Sequence, residues 1–148
     1  MSVNMRFQLG TVVKRRLGGL LCFAWHVGIA VERGQVIHFN GMKLCDPAAR
    51  LVMTTLDGFA WGKPVMEHCR PCSTDHARNI VKEAKNLLRQ RDNGWNDRYS
   101  MLTRNCEDFC VHCYERPYNE SNSPVPGDLA LKAQLFRLEL SPDQLAWR

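Results

Sequence analysis

The sequence predicts an α+β domain in which an antiparallel sheet packs against helices. Three observations carry that expectation. The stretch "HVGIAVERGQVIHFNG", residues 26 to 41, alternates apolar and polar positions around a Gly-containing turn, as a β-hairpin does. From residue 73 the apolar period lengthens to that of an amphipathic helix. A second helical stretch opens at Asn105 with a capping pattern.

Residues 9 to 16, LGTVVKRR, read as the first strand, entered by Gly10. The hairpin admits two registers. A two-residue turn at Arg33-Gly34 opposes Val31 to Val36 and puts His26 and His38 on opposite faces. A three-residue loop, Glu32-Arg33-Gly34 with Gly34 left-handed, opposes Val31 to Gln35 and Gly28 to His38. The second register is preferred because it gathers Val27, Ile29, Val31, Ile37 and Phe39 on one apolar face. The other face then carries His26, Gly28, Ala30, Val36, His38 and Asn40, with the two histidines diagonal neighbours about 7–8 Å apart at Cα.

From Met42 to Pro71 strands are only weakly signalled. Ser73, Thr74 or Asp75 caps a helix whose apolar stripe is Ala77, Ile80, Val81, Ala84, Leu87 and Leu88, stopping at Asn93-Gly94. The next helix runs from Asn105 to about Tyr114 and is expected to end at Pro117. "NESNSPVPG" reads as a linker. The expected division is a domain over residues 1–116 and a linker and tail over 117–148 that packs on or extends from it.

A chain of 148 residues with 45% apolar and 24% charged side chains fits one folded domain and excludes a largely disordered one. The net charge of +5 comes partly from Lys14-Arg15-Arg16 and Arg89-Gln90-Arg91. These clusters suit a solvated basic face that attracts phosphates, an anionic membrane surface or RNA, although no aromatic residues interleave with them for base stacking. Seven cysteines follow no secreted framework, and the apolar run Leu17 to Trp25 is interrupted by Gly18-Gly19. Reduced thiols, a cytoplasmic setting and no transmembrane segment are therefore expected.

The chemistry gathers around "TRNCEDFCVHC", residues 103 to 113. Asn105 is an N-cap and Asp108, three residues on, completes a capping box, so Cys106 is the first helical residue. Unpaired N–H groups and the helix dipole at that position favour a thiolate and can hold an oxyanion. Cys106 thus has the location of a nucleophile. Phe109, Cys110 and Cys113 share its face and read as core.

In the order His, His, Cys, "HVGIAVERGQVIHF" followed by "NCEDF" resembles the H-box and NC motif of the lecithin:retinol acyltransferase-like family, a circularly permuted branch of the NlpC/P60 papain-like superfamily. "LGTVVKRR" resembles the Gly-led opening strand of such domains, so the resemblance spans roughly residues 9 to 115. It implies a permuted papain-like fold and an acyl-thioester mechanism on ester or amide carbonyls, with lipid esters among the acyl donors. Cys106 would be nucleophile, His26 base and acid, and His38 the third member orienting His26, with Asn105 supporting the helix start. Animal members often have Trp after the first histidine, where this chain has Val27, and NCEHF where it has NCEDF. Some picornaviral 2A proteins share the pattern and look like interaction or RNA-associated modules, while unpermuted relatives are peptidases or amidases. Both are alternative readings.

Competing chemistry comes from Cys69-Arg-Pro-Cys72 and Cys110-Val-His-Cys113, whose spacing suits a four-cysteine zinc site with His68, His76 and His112 nearby. The second pair lies within a predicted helix, which disfavours zinc, and no clear strand precedes the first, which disfavours a thioredoxin-like redox pair. No metal or cofactor is expected. His68, His76 and His112 read as surface or helix-side residues, and Trp25, Trp61 and Trp95 as core packing or the lining of an acyl pocket.

Overall fold

Five antiparallel strands form the central sheet in the order β5-β3-β2-β1-β6. They are β1 Val12–Arg16, β2 Trp25–Val31, β3 Gln35–Phe39, β5 Leu51–Thr55 and β6 Met66–Cys69, and the short strands β4 Cys45–Asp46 and β7 Tyr99–Ser100 pair separately. Three helices complete the α+β fold, α1 Leu56–Ala60, α2 Thr74–Arg89 and α3 Cys106–Glu120. The structure, a computed structural model, describes residues 6–17, 25–41, 45–100 and 105–120. The linker and tail beyond Glu120 lie outside the described residues.

The hairpin takes the three-residue loop: Val31 pairs with Gln35, Ala30 with Val36 and Ile29 with Ile37. Gly34 is left-handed (φ 66°), and Arg33 joins it (φ 60°). The physical reason is the one-face rule, because this register buries Val27, Ile29, Val31, Ile37 and Phe39 together with α2 and α3. Burial of each such side chain stabilises the fold by about 1.5–3 kcal/mol. The opposite face carries a smaller apolar cluster of Val13, Ala30, Val36, Phe59 and Val65, covered by α1.

α2 begins where expected, with the Ser73 hydroxyl accepting the His76 N–H at 3.0 Å, and buries Ala77, Ile80, Val81, Ala84 and Leu87. It ends at Arg89, before Asn93-Gly94. Asn93 still serves the terminus from a distance, its amide donating to the Leu87 carbonyl at 2.9 Å. α3 does not stop at Pro117 but runs to Glu120. A proline inside a helix forfeits one hydrogen bond and bends the axis, a cost that need not end the helix. Between Met42 and Pro71, where sequence signals are weak, lie β4, β5, α1 and β6.

The expected basic face is corrected at Lys14 and Arg15, while Arg89, Gln90 and Arg91 at the end of α2 are exposed as expected. Lys14 and Arg15 are buried, at 5% and 6% exposure, because β1 is sandwiched between β2 and β6. Lys14 Nζ and the Arg16 guanidinium sit over the Trp25 ring, 4.3 Å and 3.9 Å from its centroid. Of the three cations Arg16 alone is exposed. Among the described residues no helix is long and apolar enough to cross a membrane.

Candidate active site

The ladder between β2 and β3 covers only Ile29–Val31 and Gln35–Ile37. β1 nevertheless stays paired to β2 back to Trp25, and β5 to β3 out to Phe39. The regular β2–β3 ladder therefore ends at Ile29 and Ile37, yet the strands stay close beyond it, since a Cβ built on Gly28 would stand 3.0 Å from the His38 Cβ.

His26 and His38 meet directly. His26 Nε2 lies 2.9 Å from His38 Nδ1, with the rings edge to face at 83°. His38 Nε2 lies 3.2 Å from the hydroxyl of Thr54. Thr54 pairs with Val36 in the register, so it faces the same way as His38 from the neighbouring strand. Phe59, from α1, stacks on His26 with centroids 5.3 Å apart and meets His38 edge-on at 5.2 Å. Arg15, paired with His26 across β1 and β2, donates from Nε to the Phe59 carbonyl at 2.5 Å and so fixes that ring over the imidazoles.

Both histidines are buried and pushed towards neutrality. Burial, then His38 and Arg15, holds His26 well below the usual imidazole range. Burial, then Arg15, takes His38 down to about 4. At neutral pH each ring has one N–H and one lone pair. If His38 Nε2–H donates to Thr54 and His38 Nδ1 accepts from His26 Nε2–H, the lone pair of His26 rests on its Nδ1.

Cys106 opens α3 through the predicted capping box. The Asp108 N–H donates to Asn105 Oδ1 at 3.1 Å, and the Asn105 N–H to Asp108 Oδ2 at 2.9 Å. The thiol is 5% exposed and packs with the apolar cluster under α2 and α3. The backbone N–H groups of Val27, Glu107 and Cys106 itself are directed at its sulfur. The expected thiolate is nonetheless corrected: burial outweighs those donors and pushes the thiol up to about 12.

Cys106 packs in the apolar cluster of Val27, Ile29, Ile37 and Phe39, whereas His26 and His38 pack against Phe59 on the opposite face of the sheet. Val27, whose N–H meets the sulfur, directly follows His26 in the chain. The histidines are hydrogen-bonded to each other, and the thiol to the main chain of β2.

The other cysteines and histidines take separate places. Cys110 and Cys113 are fully buried core residues, as read from the sequence. Among the described residues, no group of three or more His, Cys, Asp or Glu is arranged to hold a metal. His112 bonds Glu83 at 3.0 Å, while His76 is buried between α2 and α3. Trp95 packs on Phe39 and Phe109, and Trp61 is 64% exposed beside Arg15. Thr54, Phe59 and Arg15 escaped the sequence reading, since the first two lie in the weakly signalled stretch and Arg15 read as a surface charge.

The family model described as Lecithin retinol acyltransferase matches residues 6–117. The chain belongs to this family. Its members' acyltransferase-type chemistry is the general activity to which membership points. No curated protein matches the chain. The structure gives physical sense to two departures from the lecithin:retinol acyltransferase pattern. Position 27 interacts with the thiol through its main chain, a contribution that does not depend on the identity of its side chain. Asp108, in place of the NCEHF histidine, closes the capping box.

Proposed function

We propose that the protein is a thiol-dependent acyltransferase or acyl hydrolase, working through an acyl-thioester on Cys106 with lipid esters as the leading class of donor. The observation that carries this reading is the hydrogen-bonded chain His26, His38, Thr54, with Cys106 at the start of α3 beside the main chain of Val27, the residue that follows His26. Because the thiol rests protonated, His26 acts as general base during attack rather than as the partner of a preformed thiolate. Attack requires the Cys106 sulfur to come within hydrogen-bond reach of His26 around the start of β2, where the β2–β3 ladder has ended. The sulfur attacks the carbonyl carbon while its proton passes to His26, and the same proton then goes to the leaving alcohol. The N–H groups at the α3 start, relieved of the sulfur, hold the developing oxyanion. Water or an acceptor resolves the thioester. Exposed Arg16 at the end of β1 remains the point of contact with an anionic lipid surface.

A second reading, a non-catalytic binding module, is favoured by the burial of Cys106 and its hydrogen bond to main chain rather than imidazole. Intact-protein mass spectrometry separates the two. The chain is incubated with a short-chain phospholipid and, separately, with an activated thioester, alongside Cys106→Ala. An acyl adduct on the wild type that the variant lacks is expected. Its absence with both donors, from a folded and reduced protein, overturns the enzymatic reading.

A further inference from the structure

The acyl chemistry leaves Cys69-Arg70-Pro71-Cys72 unused. In the fold this motif forms the turn between β6, which ends at Cys69, and α2, which starts at Thr74. No clear strand is signalled ahead of it in the sequence, but β6 runs directly into Cys69. Cys72 is exposed, and its sulfur lies 3.0 Å from Nδ1 of His76, one helical turn on.

The state of that imidazole follows from its partners. The Cys72 backbone N–H donates to the same Nδ1 at 3.1 Å. A backbone N–H only donates, so Nδ1 carries the lone pair and the ring proton is on Nε2. Nε2–H in turn faces the Tyr114 carbonyl at 3.4 Å, and the ring packs edge-on against Tyr114 with centroids 5.1 Å apart. His76 is 8% exposed, so its orientation is set by the junction of α2 and α3. An exposed thiol, a basic nitrogen aimed at it, and a third group orienting the base make up an activated nucleophile. Cys69 stands three residues away, half-buried, with the Tyr114 hydroxyl 3.4 Å from its carbonyl.

We propose that Cys72 and His76 form a second thiol site, distinct from Cys106, which exchanges with low-molecular-weight disulfides and closes a Cys69–Cys72 disulfide. Cys72 passes its proton to His76 Nδ1 and attacks one sulfur of the incoming disulfide. That S–S bond breaks, a mixed disulfide forms on Cys72, and the departing thiolate takes the proton from His76. Cys69 then attacks the Cys72 sulfur, a second small thiol leaves with the Cys69 proton, and two protein thiols are oxidised as one small disulfide is reduced. The new bond ties the end of the edge strand β6 to the start of α2.

The test uses the full chain carrying Cys106→Ala, with oxidised glutathione as the probe at neutral pH, acid quenching and peptide mapping by mass spectrometry. Cys72 is expected to take the first glutathione, about tenfold faster in the folded protein than in the same chain unfolded in urea. The adduct then converts to the Cys69–Cys72 disulfide. Cys69→Ser halts the reaction at the mixed disulfide, and His76→Gln slows the first step. The comparison of folded with unfolded chain stands even where His76→Gln fails to fold. A folded rate equal to or below the unfolded one, first modification at another cysteine, or a mixed disulfide that persists beside Cys69 overturns the proposal.

Discussion

His26 Nε2 and His38 Nδ1 lie 2.9 Å apart, so a single proton is held between two buried imidazoles. His38 orients the first ring and is itself held by Thr54, whose hydroxyl lies 3.2 Å from its far nitrogen. Removing an orienting group from such a chain leaves nucleophile and base in place but lets the base rotate. His38→Ala is expected to lower the rate of Cys106 acylation by about 10²–10⁴. His38→Gln, whose amide oxygen can accept from His26, recovers part of that loss. Equal acylation rates in wild type and His38→Ala would remove His38 from the mechanism.

The contact between the two rings depends on what is missing at position 28. A Cβ built on Gly28 would stand 2.6 Å from Val36 Cγ1 and 3.0 Å from the His38 Cβ. Neither neighbour is the end of a long flexible chain, so the strands must shift. Gly28→Ala is expected to cost about 1–3 kcal/mol in urea denaturation and to slow acylation. Adding Val36→Ala relieves the closer clash, so the double variant should be more stable than the sum of the single effects. Strict additivity would place the strain elsewhere.

Asn105 and Asp108 hold the first turn of α3, and hence Cys106, by two reciprocal hydrogen bonds. Asn105→Ala removes the acceptor for the Asp108 N–H and is expected to destabilise the fold by about 1 kcal/mol. Asn105→Ser keeps an acceptor and should lie near wild type. Thermal or urea unfolding reads the stability, and acyl-adduct formation reads whether the same loss displaces the thiol.

The hairpin register, the α2 stripe and the capping box at Cys106 were legible because each depends on local pattern. Only the three-residue loop puts Val27, Ile29, Ile37 and Phe39 on one face, and Asn105 with Asp108 has its own spacing. The meeting of His26 with His38 followed from that register. What the sequence hid was decided by distant packing. Lys14 and Arg15 lie in an interior strand because β6 pairs with β1 from more than fifty residues away. Thr54 and Phe59 reach the histidines from a stretch with weak periodicity, and helix-terminal charge alone does not reveal that burial dominates the Cys106 thiol.

That dominance of burial sets how stability varies with pH. In the unfolded chain histidines titrate near 6.5, whereas in the fold burial holds His38 and His68 down to about 4 and His26 well below the usual imidazole range. Below about pH 6.5 the unfolded state therefore binds more protons than the native state, and stability falls as pH drops towards 4. For His38 the full loss amounts to about 3 kcal/mol at most. Cysteines act on the other limb. Burial raises Cys69 to about 11 and Cys106 to about 12, while the unfolded thiols ionise near 9.0, so stability also falls as pH rises above that value. Urea denaturation under reducing conditions should therefore give its highest midpoint between about pH 6.5 and 8.5, with declines towards pH 5 and pH 10. Replacing both His26 and His38 by Gln removes two of the groups that charge only on unfolding, and should flatten the acid decline relative to wild type. An acid limb of unchanged slope in that double variant would mean that the imidazole pair is protonated without unfolding, and that water reaches it in the native state.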